Sequence, residues 1–375
     1  MCEAKSRPVI IQKFGGKLLE TPEKIKQAAA YIISKKESGV DPVVVVSAPG
    51  KTTDQFMEMI TQITDHPTER ETDMLLSVGE RMTMALLAMA INSASSHQAV
   101  SYTGSQVGII TDNRHTRARI LEVKGYRLKE ALAVGQIPII AGFQGVSLNR
   151  EITTLGRGGS DLTAMALAVA LRAEYCELVK ECAGIFTADP EIVPEAIRRD
   201  GIDYITLSEL TSAGAKIIQQ EAAAIAEDHK VAITIGDITG NPGTMVSETN
   251  LSGGLVAGLV LEEGLQVIRS AEFPRDLQTL SGVKYASTNG KECLTVAQNC
   301  GDEASQVALL NVIGWGGFLD PVVINTSLQY FRSSGIVYLS AIMLHGKLSI
   351  LVNAADGREI LQKIHSLFQE NGYFD

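Results

Sequence analysis

A glycine-rich loop, Gly156 to Asp161, places an arginine, a serine and a carboxylate within six residues. The small apolar residues that follow predict a helix over 162–171. A loop that leads into a helix presents unpaired backbone N–H groups to an anion, and its glycines remove the Cβ atoms that would hold the anion away. Arg157 adds a cation, and Ser160 adds a hydroxyl beside Asp161. The pattern predicts a site for a phosphoryl group, for an anionic substrate, or for both.

Three predicted strands, 9–13, 42–47 and 176–179, end in polar or glycine-rich segments. Open α/β sheets bind ligands at the carboxyl ends of their parallel strands, so we expect these segments to meet at one edge. The groups that they bring are Lys13 with Gly15 and Gly16, Ser47 with Thr53, and Lys180 with Glu181.

Glu80 lies within an apolar helical region, 71–94. A carboxylate in such surroundings is costly unless it is paired. Arg81 follows it directly, and adjacent helical residues do not face each other. The amine of a ligand is therefore another candidate partner for Glu80.

Several of these signals also have ordinary structural explanations. Lys13 with its two glycines fits a strand-to-helix turn with an exposed lysine. The hydroxyls near Thr53 fit a capped helix start. Lys216 fits a lysine on a helix surface. The loop at Arg157 is harder to explain as a turn alone.

Composition and charge exclude several classes of protein. The 375 residues are 45% apolar and 20% charged, which is typical of a soluble globular protein of two or three domains. No apolar run reaches the ~20 residues that span a bilayer, and the N-terminus lacks the apolar core of a signal peptide. A net charge of −10 argues against nucleic-acid binding. We therefore expect no membrane and no nucleic acid among the partners.

Cysteine and histidine spacing predicts neither disulfides nor a metal cluster. The five cysteines form no CxxC pair, so we interpret them as free thiols in a reducing cytoplasm. The six histidines are scattered. Walker A and GxGxxG motifs are both missing from the sequence, so any nucleotide binds by another scheme.

The element pattern divides the chain near residue 247. Before it, strands alternate with helices, and the continuous β-branched runs predict an α/β fold with a parallel central sheet. From about 255, short strands alternate with single helices, one of them near 272–281, and predict two ferredoxin-like βαββαβ units at about 255–300 and 304–372. We therefore predict domains at 1–247 and 248–375.

The motifs KFGG, VVVVSAxGxTTD, LLSVGER, GFQGV, TTLGRGGSD and GIFTADPxIVPEA occur in that order. Together they resemble the aspartokinases of the amino-acid-kinase superfamily, over residues 9 to 246. In the tail, VALLNVIGWGG is similar to the first strand of the second ACT unit of that family. The resemblance implies a three-layer αβα amino-acid-kinase fold followed by tandem ACT domains.

The resemblance also implies phosphoryl transfer from ATP, with Mg²⁺, to the β-carboxylate of L-aspartate. The product is 4-phospho-L-aspartate, on the branch leading to lysine, threonine and methionine. The family further implies control by a lysine or threonine effector at the ACT interface, a homo-oligomer formed through the ACT domains, and a cytoplasmic location.

Site residues are carried over by motif. They fall into a catalytic, an acceptor and a nucleotide set, and no residue is assigned to a metal. The catalytic set is Lys13, Gly15, Gly16 and Asp161. The acceptor set is Ser47, Thr53, Glu80, Phe143, Arg157, Gly159, Ser160 and Asp161. The nucleotide set is Lys13, Lys180, Glu181, Gly184, Phe186, Asp189, Pro190 and Lys216.

The sequence departs from the family pattern on the nucleotide side. Lys17-Leu18 stand where the family has Thr-Ser, and Glu181-Cys182-Ala183 lacks the second acid of the family motif. Ile217 stands where the family has histidine, and Gly236-Asp237 replaces Asn-Thr. These differences leave two alternatives open: a paralogue that phosphorylates another amino-acid carboxylate, and a non-catalytic regulatory homologue with ACT domains.

Overall fold

The structure is a computed structural model that describes residues 7–241, 243–249, 253–270, 283, 285–288, 293–298 and 305–375. The predicted helix near 272–281 lies outside the described residues, as do Cys2 and Cys300. The chain forms two compact units, Met1–Ile185 with Ile218–Glu248, and Phe186–Ile217 with Thr249–Asp375. Residues 186–217, which the sequence-based division placed in the N-terminal domain, thus group with the second unit.

The elements are named here in chain order. The strands are β1 (Val9–Phe14), β2 (Asp41–Val46), β3 (Ala99–Tyr102), β4 (Ile109–Thr111), β5 (Ile120–Val123), β6 (Ile137–Ala141), β7 (Gln144–Ser147), β8 (Ile152–Thr154), β9 (Cys176–Val179), β10 (Gly201–Asp203), β11 (Ile233–Gly236), β12 (Thr244–Ser247), β13 (Gly258–Ser270), β14 (Tyr285–Thr288), β15 (Cys293–Ala297), β16 (Ser305–Ile313), β17 (Ser340–Leu344) and β18 (Lys347–Asn353). The helices are α1 (Pro22–Glu37), α2 (Thr52–Ile63), α3 (Glu69–Leu76), α4 (Val78–Ala94), α5 (Gly104–Val107), α6 (Tyr126–Ala133), α7 (Gly159–Leu171), α8 (Tyr204–Ser212), α9 (Gln220–His229), α10 (Pro321–Ser334) and α11 (Gly357–Glu370), with a 3₁₀ helix at Gly16–Leu19.

The first unit is built on a sheet in the order β12-β11-β9-β1-β2-β6-β3, parallel except for β12. Helices α1 and α4 bury their apolar sides against β2 and β6 on one face. Helix α7 packs on β1 and against α9. Phe14 belongs to the core under α1 and α4, so Lys13, one residue earlier on β1, points toward the α7 face. The predicted three-layer α/β fold with a mainly parallel sheet is confirmed.

A smaller sheet of the same unit, in the order β5-β4-β7-β8, leads into the glycine-rich loop. Strand β7 follows β6 after only Gly142 and Phe143, and β8 ends at Thr154. The loop between β8 and α7 therefore starts from a strand that is paired to β7.

Helices α3 and α4 form an apolar stretch, Glu69–Ala94, that is long enough to cross a membrane by length and composition. Half of its most apolar window is buried within the structure. The stretch also breaks at Ser77, where one helix ends and the next begins, and the buried acids Asp73 and Glu80 lie on either side of that break. These features identify it as a pair of core helices.

The second unit contains one antiparallel sheet in the order β14-β15-β13-β16-β18-β17. The order is symmetric: each half consists of a first strand, its third strand beside it, and its second strand outermost. The two halves join where β13 pairs with β16. Helices α10 and α11 and the inner faces of β13, β16 and β18 enclose the core of this unit. The strand order is that of two ferredoxin-like repeats side by side, as the sequence predicts.

Candidate active site

The carboxyl ends of four parallel strands lie at one level of the sheet. Phe14 of β1 is opposite Val46 on one side and Val179 on the other, and Val46 is opposite Ala141 of β6. The segments that leave these strands therefore emerge side by side. This places the predicted groups after β1, β2, β6 and β9 at one edge.

A compact charge cluster occupies this edge. Lys13 Nζ lies 2.8 Å from Asp161 Oδ1. Asp161 Oδ2 accepts the backbone N–H of Gln219 at 3.1 Å. Burial alone would raise the pKa of Asp161, but Lys13, Lys180 and the Gln219 N–H together hold that pKa below its ordinary value. Asp161 is therefore ionised at neutral pH.

Lys180 is the second cation of the cluster. Burial, reinforced by the charge of Lys13, lowers the pKa of Lys180 below its ordinary value, although Asp161 opposes the shift. Two lysine ammonium groups thus act on one carboxylate. The surplus of positive charge suits an anion.

Helix α7 begins at Gly159 because two glycines permit the turn before it. Gly158 has a φ of 71°, and a Cβ there would come within 2.4 Å of the Gln219 side chain. A Cβ on Gly159 would come within 2.8 Å of the Phe143 ring. Glycine at both positions lets the first turn of α7, with Ser160 and Asp161, approach the end of β6.

Gly15 and Gly16 differ in what their missing side chains allow. A Cβ on Gly16 would meet the carbonyl oxygen of Ala48 at 2.5 Å, so this glycine allows the loops after β1 and β2 to touch. A Cβ on Gly15 would meet no described atom within 4 Å. Its backbone is therefore open to approach from that side.

Glu80 is 3% exposed, and only one of its two carboxylate oxygens has a hydrogen-bond partner among the described residues. Its Oε1 accepts the backbone N–H of Ala48 at 3.0 Å, and its Oε2 has no hydrogen-bond partner among the described residues. Burial raises the pKa of Glu80 to about 7, against the opposing effect of backbone hydrogen bonds. A buried oxygen without a donor is expensive, and an ammonium group would satisfy it.

The other acceptor residues lie in the segments that follow β2, β6 and β8. Ser47 directly follows β2, and Thr53 lies in the first turn of α2. Phe143 has a φ of 67°, and its N–H donates to Thr163 Oγ1 of α7 at 3.1 Å. Arg157 is exposed at the tip of the glycine-rich loop and has no ion-pair or hydrogen-bond partner among the described residues. Its guanidinium is therefore available to a ligand.

Two of the residues that depart from the family pattern meet each other. Lys17 Nζ lies 3.3 Å from Glu181 Oε2, and Lys24 Nζ lies 3.6 Å from Glu181 Oε1. Lys17, the cation that the family pattern lacks, thus forms an ion pair with Glu181. Nothing in the spacing of these residues predicts the pairing.

Four residues of the nucleotide set belong to the second unit. Phe186 forms an isolated β-bridge with Arg198, and Asp189 accepts the N–H of Glu191 at 3.0 Å. Pro190 is exposed, and Lys216 is exposed in a turn after α8. Gly184, with a φ of 145°, belongs to the first unit.

Sequence reasoning missed the backbone donors and one acid. The N–H groups of Ala48 and Gln219 carry no side-chain signal, because any residue supplies them. The missed acid is Asp73, which is fully buried on α3. The signal that singled out Glu80, a carboxylate in an apolar helical region, could also have found it.

Comparison with known proteins places the chain in a family. Residues 8–237 match the amino acid kinase family. The aspartokinase of Corynebacterium efficiens is 33% identical across 97% of both chains. Two structures of E. coli aspartokinase III share the fold at 21% identity: a complex with aspartate and ADP (R-state), with a TM-score of 0.78 over 96% of this chain and 99% of that one, and a complex with lysine and aspartate (T-state), with a TM-score of 0.76 over 98% and 100%. The chain belongs to the amino acid kinase family and, within it, to the aspartokinases.

Proposed function

We propose that this protein is an aspartate kinase, which transfers the γ-phosphoryl group of ATP to the β-carboxylate of L-aspartate and forms 4-phospho-L-aspartate. The observation that carries the proposal is the pair of centres at one sheet edge: Lys13 and Lys180 around Asp161, and Glu80 with an unpartnered oxygen. The first suits a phosphoryl group, and the second suits the amine of the acceptor.

The acceptor would be held at both ends. Glu80 Oε2 would accept from the ammonium group, and Arg157 would grip a carboxylate in a bidentate geometry. Ser47, Thr53, Phe143, Gly159 and Ser160 complete this side. Because the attacking β-carboxylate is ionised at neutral pH, the reaction needs no strong base.

Lys13 would neutralise charge on the transferring phosphoryl group, and the open backbone at Gly15 would let N–H groups approach it, while Gly16 lets the loop after β1 lie against the loop after β2. Asp161 fixes the position of Lys13 through their 2.8 Å contact. Catalysis then consists of positioning and charge neutralisation. Within the first unit, the nucleotide would lie along Lys180, Glu181 and Gly184.

Mg²⁺ would enter this site with the phosphates of the nucleotide. No group of three or more His, Cys, Asp or Glu side chains that could hold a metal occurs in the described part of the chain. Asp161, the acid at the centre, already contacts Lys13 and Gln219. Mg²⁺ commonly keeps its waters and binds through substrate phosphates, where it adds further charge neutralisation.

The second unit supports a proposal of feedback control. E. coli aspartokinase III has been solved with lysine in a T-state. We extend this to a lysine or threonine effector bound between the ACT repeats, which would act by binding one state more tightly than the other. A homo-oligomer formed through these repeats, a cytoplasmic location and the first step of the lysine, threonine and methionine branch complete the proposal.

A hydroxamate assay tests the activity. The protein is incubated with ATP, Mg²⁺, hydroxylamine and either aspartate, glutamate or another amino acid. The expected result is hydroxamate with aspartate alone. A product with another amino acid instead would favour the paralogue, and no product with any of them would favour a non-catalytic regulator.

A further inference from the structure

Asp73 is a buried carboxylate that the proposed chemistry does not use. It lies on α3 with its side chain 0% exposed. Its two oxygens accept the N–H of Thr116 at 3.0 and 3.1 Å, and Oδ1 also accepts the hydroxyl of Thr154 at 2.5 Å. His115 Nδ1 lies 2.7 Å from Oδ2. Two segments of the smaller sheet, the loop between β4 and β5 and the end of β8, thus converge on one side chain.

The backbone that Asp73 binds is held in an unfavourable conformation. Thr116 has a φ of 63°, in the left-handed region that β-branched residues avoid. Such a conformation persists only where the surrounding contacts impose it. The bonds from Thr116 N–H to both oxygens of Asp73 are contacts of that kind.

These contacts fix the start of the glycine-rich loop. Thr154 is the last residue of β8, and its carbonyl accepts the N–H of Ala118 at 2.9 Å. Two residues later, a Cβ on Gly156 would lie 3.3 Å from the carbonyl oxygen of Thr116. Arg157 follows immediately. The loop that carries Arg157 is therefore anchored through Thr154 and confined by Thr116, and both depend on Asp73.

Asp73 is also linked to the helix that carries Glu80. The carbonyl of Asp73 accepts the N–H of Ser77 at 3.0 Å, and the carbonyl of Ser77 accepts Gln144 Nε2 at 2.9 Å. Helix α4 starts directly after Ser77 and carries Glu80 in its first turn. Asp73 and Glu80 thus lie on two consecutive helices that meet at Ser77.

We propose that Asp73 is a positioning residue that ties the Arg157 loop to the helix pair carrying Glu80, and so sets the spacing of the two groups that grip the acceptor amino acid. The inference rests on the proposed function, because the acceptor is the aspartate of that reaction. Its assigned role is in acceptor binding and not in phosphoryl transfer.

Thr154→Val is the sharpest test, because it removes one donor to Asp73 and keeps the shape of the side chain. Thr154→Ser restores the hydroxyl and serves as the conservative rescue. Thr153→Val is the matched control: Thr153 is equally buried on the same strand, and its hydroxyl bonds to Thr111 Oγ1 at 2.6 Å and not to Asp73. Asp73→Asn, which removes the charge and replaces one acceptor oxygen with a donor, is measured beside them with a melting curve for each variant.

The expected result is a KM for aspartate raised about tenfold in Thr154→Val, the size of one lost hydrogen bond to a charged group, with kcat and the KM for ATP within about twofold. Thr154→Ser behaves as the unaltered protein. Hydrogen exchange of amides 155–159 is faster in Thr154→Val than in Thr153→Val. Equal aspartate KM values and equal exchange in the two valine variants would overturn the inference.

Failure of the proposed function gives a different pattern. If the unaltered protein forms no hydroxamate with any amino acid, that function fails, and exchange at 155–159 still decides whether Asp73 holds the loop. If the unaltered protein is active and Thr154→Val changes only the melting temperature, Asp73 has a structural role alone and the inference is wrong.

Discussion

The two units of this molecule treat buried charge differently. In the second unit, Arg199 is 5% exposed, and its guanidinium donates to the carbonyls of Ala257 at 3.1 Å, Phe374 at 2.7 Å and Val256 at 2.5 Å. The rings of Trp315 and Phe374 lie 5.2 and 5.5 Å from its centre. In the first unit, Glu80 is buried to a similar degree and has one oxygen without a described partner.

The difference separates a charge whose hydrogen-bonding groups the fold satisfies from one that the fold leaves partly unsatisfied. Burial lowers the pKa of Arg199 to about 10, so it remains ionised at neutral pH, and its donors are matched by fixed acceptors. Burial raises the pKa of Glu80 to about 7, so its charge is poised to change. Buried polar groups in folded proteins nearly always have hydrogen-bond partners. A buried charged group that lacks one is therefore a candidate for contact with a ligand.

The largest expected effect comes from Lys13→Ala. Removal of a cation at the transferring phosphoryl group should lower kcat by about 10³-fold or more. Lys36→Ala is the matched control, because Lys36 also forms a buried pair, with Asp41 at 2.6 Å, but beside the start of β2, at the opposite edge of the sheet. Hydroxamate assays and denaturation curves compare the two. Equal losses of kcat would show that Lys13 acts through stability only.

Arg199→Met should have the opposite effect from Lys13→Ala: a large loss of stability with little change in kcat. The three carbonyls would lose their donors in a buried setting, and we expect about 3 to 5 kcal/mol of lost stability in the second unit. The kcat per folded molecule should stay within about twofold, because Arg199 contacts no proposed substrate group. Chemical denaturation with a parallel assay of the folded protein measures both. A stable variant with a large loss of kcat would contradict the structural assignment.

Glu80 should make stability and acceptor affinity respond to pH in opposite directions. Its folded-state pKa of about 7 exceeds the ordinary glutamate pKa of 4.5, so the folded state binds more protons than the unfolded state between these values. Stability should therefore fall as pH rises through this window, by at most about 3 kcal/mol from this group. Aspartate affinity should rise as pH passes 7, because the ionised carboxylate pairs with the ammonium.

Glu80→Gln separates the two effects. The amide does not titrate, so the fall in stability between about pH 4.5 and 7 should become smaller by the share that Glu80 contributes. Its KM for aspartate should be higher than that of the unaltered protein at pH 8 and less dependent on pH. Denaturation midpoints and KM values measured from pH 5 to 8 provide the comparison. An unchanged KM profile would remove Glu80 from the acceptor site.

Sequence patterns predicted the strands more accurately than the helix starts. The apolar run over 176–179 predicted β9 with the bounds that the structure has, because that strand is buried throughout. The helix predicted from residue 162 begins at Gly159, since Gly158 can adopt a positive φ that closes the turn earlier. The single helical region predicted over 71–94 divides at Ser77.

Contacts between distant segments were beyond sequence reasoning. Lys13 and Asp161 were both singled out by local pattern, but their direct contact depends on the packing of α7 on β1. The same holds for Asp73 with Thr154, and for Asp161 with the N–H of Gln219. Local chemistry identifies candidate groups, while the partners that tune their charge are set by tertiary structure.

The smallest expected effect belongs to Lys17 and Glu181, whose side chains are 76% and 46% exposed. An exposed pair of this kind contributes about 0.5 kcal/mol or less, so a double-mutant cycle with Lys17→Thr and Glu181→Gln should give a coupling near that value. The KM for ATP should change by less than about threefold in either variant, and the change should shrink in 0.5 M salt, because salt screens exposed charges. A tenfold rise in the KM for ATP in Lys17→Thr that persists in 0.5 M salt would instead place Lys17 among the phosphate ligands. Lys17 would then be a site cation like Lys13, and not one partner of a surface ion pair.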